Sequence, residues 1–187
     1  MKRPAADAAV LTGAVLFYGF MALVAVGVGR WLDAPLFVLR SEARWPVWQS
    51  AGAGAGVGLA VVLLSRQLTA RFAWARTMNG QFREILGIPT IRQASLLAGA
   101  SAVAEELAFR GLLMSLLGPW WSSLLFAAAH VAPGRVTWHW TLFAGLLGLA
   151  FAQGTLVTGD LTAAMMPQME EERGAMGMQE EQTGVPV

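Results

Sequence analysis

The chain has 187 residues, of which 56% are hydrophobic and 13% charged, roughly half the charged share of an ordinary soluble domain. That deficit excludes a soluble surface at this size, and a net charge of +1 supplies no field that would attract nucleic acid. The absence of cysteine excludes disulfides and thiolate metal sites, and a mean hydropathy of +0.53 points to an integral membrane protein. The expected fold is all-α: a polytopic helical transmembrane bundle of about five apolar helices with a basic amphipathic helix on the cytoplasmic side.

Lys2 and Arg3 precede an apolar stretch from Ala8 to Gly29. At about 22 residues it is long enough to span and longer than a signal-peptide core. Arg30-Trp31-Leu32-Asp33 follows in place of a small-residue cleavage site, so a retained transmembrane helix is expected. A second apolar segment is expected from Trp48 to Ser65. Its pairs Gly52/Gly56 and Gly54/Gly58 have the four-residue spacing that lets helices approach closely in lipid. The run is not a dinucleotide fingerprint, because its third glycine would fall at Leu59.

Residues 66–92 hold Arg66, Arg71, Arg76, Arg83 and Arg92 against one acid, Glu84. Interleaved Phe72, Trp74, Phe82, Ile85 and Leu86 predict a helix lying on the membrane surface with its basic groups toward anionic lipid. The arginine excess places this loop in the cytoplasm. Lys2 and Arg3 agree, since two spans return the chain to the same side. A third apolar helix is expected from Ala94 to Leu117, then a break at Gly118-Pro119 and a shorter helix from Trp120 to His130. Pro133-Gly134-Arg135 makes the next turn. A last span runs from Thr137 to Val157, with Trp138 and Trp140 as interface anchors. No strand-period alternation competes with these helices. The helical membrane domain is thus read as 1–166, and the acidic, methionine-rich tail 167–187 as mostly disordered.

The third helix carries Glu105, Glu106 and Arg110 within six residues. Each charge costs roughly 2.5–3.5 kcal/mol at the centre of a membrane helix, so the groups must pair or serve a function. Glu106 and Arg110 are i,i+4 and share a face, which predicts an ion pair. Glu105 points about 100° away, on a stripe with Ala98, Ala102, Phe109 and Leu112. With Arg110 taken up by Glu106, Glu105 is the candidate general base. His130 ends the next helix. Glu105 lies 13 residues before Gly118 and His130 lies 11 after Pro119, about 20 and 17 Å from the turn at 1.5 Å per residue. The two side chains are therefore expected at matched depth, in the cytoplasmic half. A carboxylate and an imidazole around a buried water could hydrolyse an amide. They could also contact a divalent metal such as zinc, but two ligands are too few for a closed site. A structural salt bridge with a packing histidine is the bland alternative.

Glu105-Glu106-x-x-x-Arg110 followed by Phe126-x-x-x-His130 resembles the CAAX protease and bacteriocin-processing family of intramembrane proteases. The resemblance covers residues 60–166 and takes in Val157-Thr158-Gly159-Asp160-Leu161. It implies a multi-helix membrane endopeptidase of the bacterial inner membrane, acting on a protein or peptide substrate, prenylated or not, with no cofactor. It implies that Glu105 activates water with the help of His130, and that Glu106, Arg110 and Phe126 shape the site.

The resemblance also implies a further helix carrying His-x-x-x-Asn or Asp. The corresponding residues, 162–170, contain neither His nor Asn, a departure that a truncated or frame-altered end would produce. An inactive membrane adaptor or immunity-like protein on the same scaffold is therefore the alternative function. A small transporter using Glu105, Glu106 and Arg110 is a third, although inverted repeats are not visible. His139 precedes the last span and is expected at the interface beside Trp138 and Trp140.

Overall fold

A computed structural model of the chain describes residues 8–34, 45–86, 90–131, 137–159 and 161. Every regular element among them is helical. The elements are α1 (Ala8–Trp31), α2 (Val47–Arg71), α3 (Ala73–Leu86), α4 (Ile91–Glu105), a π-helical segment (Glu106–Leu113), α5 (Met114–Ala129) and α6 (Thr137–Thr158). Four helical stretches are long and apolar enough to cross a membrane: Ala8–Trp31, Val47–Arg71, Ile91–Ala129 and Trp138–Thr158. Leu16, Phe20, Leu23, Leu59 and Leu96 are each more than half exposed, a distribution suited to a lipid solvent rather than water. The protein is an integral membrane protein.

The stretch Ile91–Ala129 has 39 residues and would be about 58 Å long if straight. It is a hairpin instead. Gly118 has φ 82° and ψ 170°, a conformation that a Cβ would strain. Pro119 begins the return arm, where a missing N–H is tolerated. Phe109 meets Phe126 edge to face, ring centroids 5.0 Å apart. Both arms therefore run back along each other from the expected turn.

Three expectations about boundaries are corrected. The third helix starts at Ile91 rather than Ala94, because Thr90 and Gln93 form a capping box. The Thr90 amide donates to Gln93 Oε1 at 2.8 Å, and the Gln93 amide donates to Thr90 Oγ1 at 3.4 Å. That helix is not α-helical through Leu117: from Glu106 to Leu113 it widens into a π-helix. The surface helix does not begin at Arg66. α2 continues to Arg71 and breaks at Phe72, which is extended (φ −115°, ψ 132°). Arg66 and Arg71 are exposed on its last turns.

α1 runs along α4 and the π-helical segment, with Ala25 packed among Leu107, Leu112 and Leu161. α6 lies against α5 at two glycines. A Cβ added at Gly145 would come 3.2 Å from Ala127 Cβ, and one at Gly148 would come 3.2 Å from the Phe126 ring. In α2, Gly54 and Gly58 share a buried stripe with Ser50 and Val61. Gly52 and Gly56 face open space. The expected turn at 133–135, the termini, the tail 167–187 and the side chains of residues 82–86 lie outside the described residues.

Candidate active site

The π-helical segment begins at the second of the two acidic residues. Its wider turn is recorded by the Met114 amide, which donates to the carbonyl five residues back, at Phe109. The same Phe109 carbonyl accepts from Ser122 Oγ of the opposite arm. One backbone oxygen thus ties the widened turn to α5.

Glu106 and Arg110 form the expected pair, Nη1 to Oε1 at 2.8 Å, with both side chains buried. The guanidinium extends beyond its own helix. Its Nη2 donates to the Gly148 carbonyl of α6 at 3.4 Å. Its carbon lies 4.2 Å from the Phe126 ring centroid and 5.3 Å from that of Phe151, cation–π distances in a desolvated setting. Arg110 therefore joins three elements. Glu106 Oε2 is buried with no hydrogen-bond partner among the described residues. Of the two acids it is Glu106, expected to be the satisfied one, that keeps an unbonded oxygen.

Glu105 sits on the expected stripe, with Ala98 and Ala102 fully buried and Phe109 and Leu112 nearly so. It faces His130 across the hairpin, with Oε2 and Nε2 3.9 Å apart. Twenty-five residues of straight helix would separate them by about 37 Å. The matched depth read from the sequence is thus present in the structure. His130 lies one residue beyond α5, and its Nδ1 is 2.7 Å from the Phe126 carbonyl. A carbonyl only accepts, so Nδ1 carries the proton, and in the neutral imidazole Nε2 is an acceptor. The ring rests 4.2 Å from that of Phe126. On the α6 side, Trp140 approaches to 5.9 Å between centroids and Thr141 Oγ1 donates to the His130 carbonyl at 3.3 Å.

Trp140 is therefore half-buried against the candidate site, and Trp138 is exposed. His139 stacks on Trp138 and also on Trp74 of α3. Sequence reading missed Ser122, Trp140, Gly148 and Phe151 as neighbours of the site. Gly145 and Gly148, small residues three apart, were the available signal for where α6 touches α5. A catalytic zinc takes three protein ligands. Among the described residues no group of three His, Asp or Glu side chains converges to hold a metal, so no step is assigned to one.

Apart from Trp74, these residues fall within one stretch that a family model matches. Residues 88–169 match the model described as type II CAAX prenyl endopeptidase, Rce1-like. The resemblance carried by Glu105, Glu106, Arg110, Phe126 and His130 is to this family. The Rce1-like stretch takes in both arms of the hairpin and the whole of α6. The uncharacterized protein YpbD of Bacillus subtilis (strain 168) is 31% identical over 116 residues, covering 59% of each chain. The chain thus spans 59% of the length of that relative. No solved structure matches.

Proposed function

We propose that the chain is a membrane-embedded peptidase in which Glu105 and His130 activate a water against a peptide bond. The observation that carries this reading is the 3.9 Å between Glu105 Oε2 and His130 Nε2, with the opposite ring nitrogen fixed on the Phe126 carbonyl. That separation is beyond direct hydrogen-bond range. A water lying off the line between the two atoms reaches both at about 2.8 Å. It donates one hydrogen to each, and its lone pair points away from them. The water oxygen attacks the scissile carbonyl, Glu105 takes the water proton, and the C–N bond breaks as that proton passes to the leaving nitrogen. Glu106 and Arg110 hold the π-helical segment, α5 and α6 in register around the pair.

The substrate class is a protein or peptide segment delivered at the membrane. The exposed arginines near the end of α2, with Arg92 at the start of α4, support a cytoplasmic placement for the N-terminus and for 66–92, in a bacterial inner membrane. Trp120 and Trp121, beside the Gly118 turn and more than half exposed, then lie at the outer interface. A second reading is favoured by residues 162–170, which contain neither His nor Asn: a scaffold that acts by binding without hydrolysis.

The test compares membrane-protein termini in cells producing the wild type, Glu105→Gln or His130→Ala at equal levels. New termini that appear with the wild type alone support the peptidase. Identical sets of termini in all three would sink it. A cellular phenotype that persists with Glu105→Gln, without cleavage, supports the second reading.

A further inference from the structure

We infer that the elbow between α2 and α3 binds anionic lipid headgroups and, through Trp74 and His139, positions His130. The inference rests on the reading of His130 as half of the water-binding pair. Its first element is charge. Arg66, Arg71 and Arg76 are exposed around the elbow between α2 and α3, and residues 66–92 contain one acid. A concentration of cations beside interfacial tryptophans is complementary to phosphate headgroups. Its second element is rigidity at the elbow. Arg76 Nη1 donates to the Thr69 and Ala70 carbonyls, each at 3.2 Å, which fastens the start of α3 to the end of α2.

The third element is a chain of contacts into the site. Trp74 of α3 stacks almost parallel on His139, centroids 4.6 Å apart at 8°. Trp138 covers the ring at 3.6 Å. Nδ1 of His139 is buried with no hydrogen-bond partner among the described residues, and the faces of the imidazole are held by the two tryptophans. The next two residues of α6 grip His130, Trp140 against its ring and Thr141 on its carbonyl. His130 lies beyond the last turn of α5. A shift of the first turn of α6 therefore moves Nε2 relative to Glu105. Lipid that seats the elbow sets that distance.

The chain contains two histidines, the two that the inference concerns, so ¹⁵N-histidine NMR of the full chain reads both rings with no catalytic turnover. Spectra are compared in vesicles of phosphatidylcholine alone and with phosphatidylglycerol added, and in phosphatidylcholine vesicles with soluble glycerol phosphate. Phosphatidylglycerol is expected to shift the ring resonances of both histidines, and soluble glycerol phosphate to shift neither. Arg71→Gln should raise the phosphatidylglycerol fraction needed by up to about fivefold, the weight of one cation near an anionic surface. Trp74→Phe should keep the His130 response and Trp74→Ala should lose it. His130 resonances that are the same in both vesicles, or that respond equally in Trp74→Ala, overturn the inference. An equal response to soluble glycerol phosphate overturns the lipid as its source. None of these outcomes depends on whether the protein cleaves a peptide, so the inference and the peptidase reading fail separately.

Discussion

Replacing Arg110 with methionine tests whether the buried ion pair holds the hairpin and α6 together. The guanidinium and the Glu106 carboxylate meet at 2.8 Å with at most 1% of either side chain exposed. Breaking such a pair from one side leaves the other charge buried and costs about 3–5 kcal/mol. The cation–π contacts with Phe126 and Phe151 add about 0.5–2 kcal/mol. Glu106 Oε2 already has no hydrogen-bond partner among the described residues, so the carboxylate has little to fall back on. The expected loss is at least about 3 kcal/mol, roughly two decades in the folding equilibrium. The double variant Glu106→Gln with Arg110→Met removes both charges and should be more stable than Arg110→Met alone. The assay is reversible unfolding in mixed micelles with increasing sodium dodecyl sulfate, followed by helicity and tryptophan emission. A single variant costing under about 1 kcal/mol, or a double variant costing the sum of the two singles, would refute the reasoning.

Smaller perturbations test other contacts. Ser122→Ala removes the hydroxyl that donates to the Phe109 carbonyl and should cost about 1 kcal/mol in the same unfolding assay, since Met114 still satisfies that oxygen. Gly148→Ala places a Cβ 3.2 Å from the Phe126 ring and 3.5 Å from Ser123 Cβ. It should cost about 1–3 kcal/mol, while Gly52→Ala, which meets open space, should not destabilise. Because the native chain lacks cysteine, single cysteines at Trp120 and at Thr77 read orientation directly. An impermeant thiol reagent outside intact cells should label the first and not the second, and the reverse pattern would invert the proposed topology.

Much of the fold was legible because membrane helices announce themselves by length and hydropathy. The candidate pair was legible because Gly118-Pro119 marks a reversal and helical rise is constant. Counting 13 residues one way and 11 the other was enough to set Glu105 beside His130. The π-helical segment was not legible. An i,i+4 pair such as Glu106 and Arg110 meets in either kind of helix, so spacing does not report the widened turn. The rest of the Arg110 environment is tertiary: the Gly148 carbonyl lies 38 residues away, and no local pattern points to it. Trp140 was read as an anchor because tryptophan at the start of a span usually is one. Its place beside His130 follows from the packing of α6 on α5, which Gly145 and Gly148 permit. The start of α4 is legible, since Thr90-x-x-Gln93 is a capping-box pattern in the sequence itself.

The most direct measurement of the central claim is hydrolysis in ¹⁸O-labelled water by the purified chain in vesicles. The substrate is a peptide whose cut has been located from membrane termini, and products are read by mass. The account predicts one ¹⁸O in the newly formed carboxylate with the wild type, and loss of that product in both Glu105→Gln and His130→Ala while each remains folded. Equal product from the wild type and Glu105→Gln would contradict it.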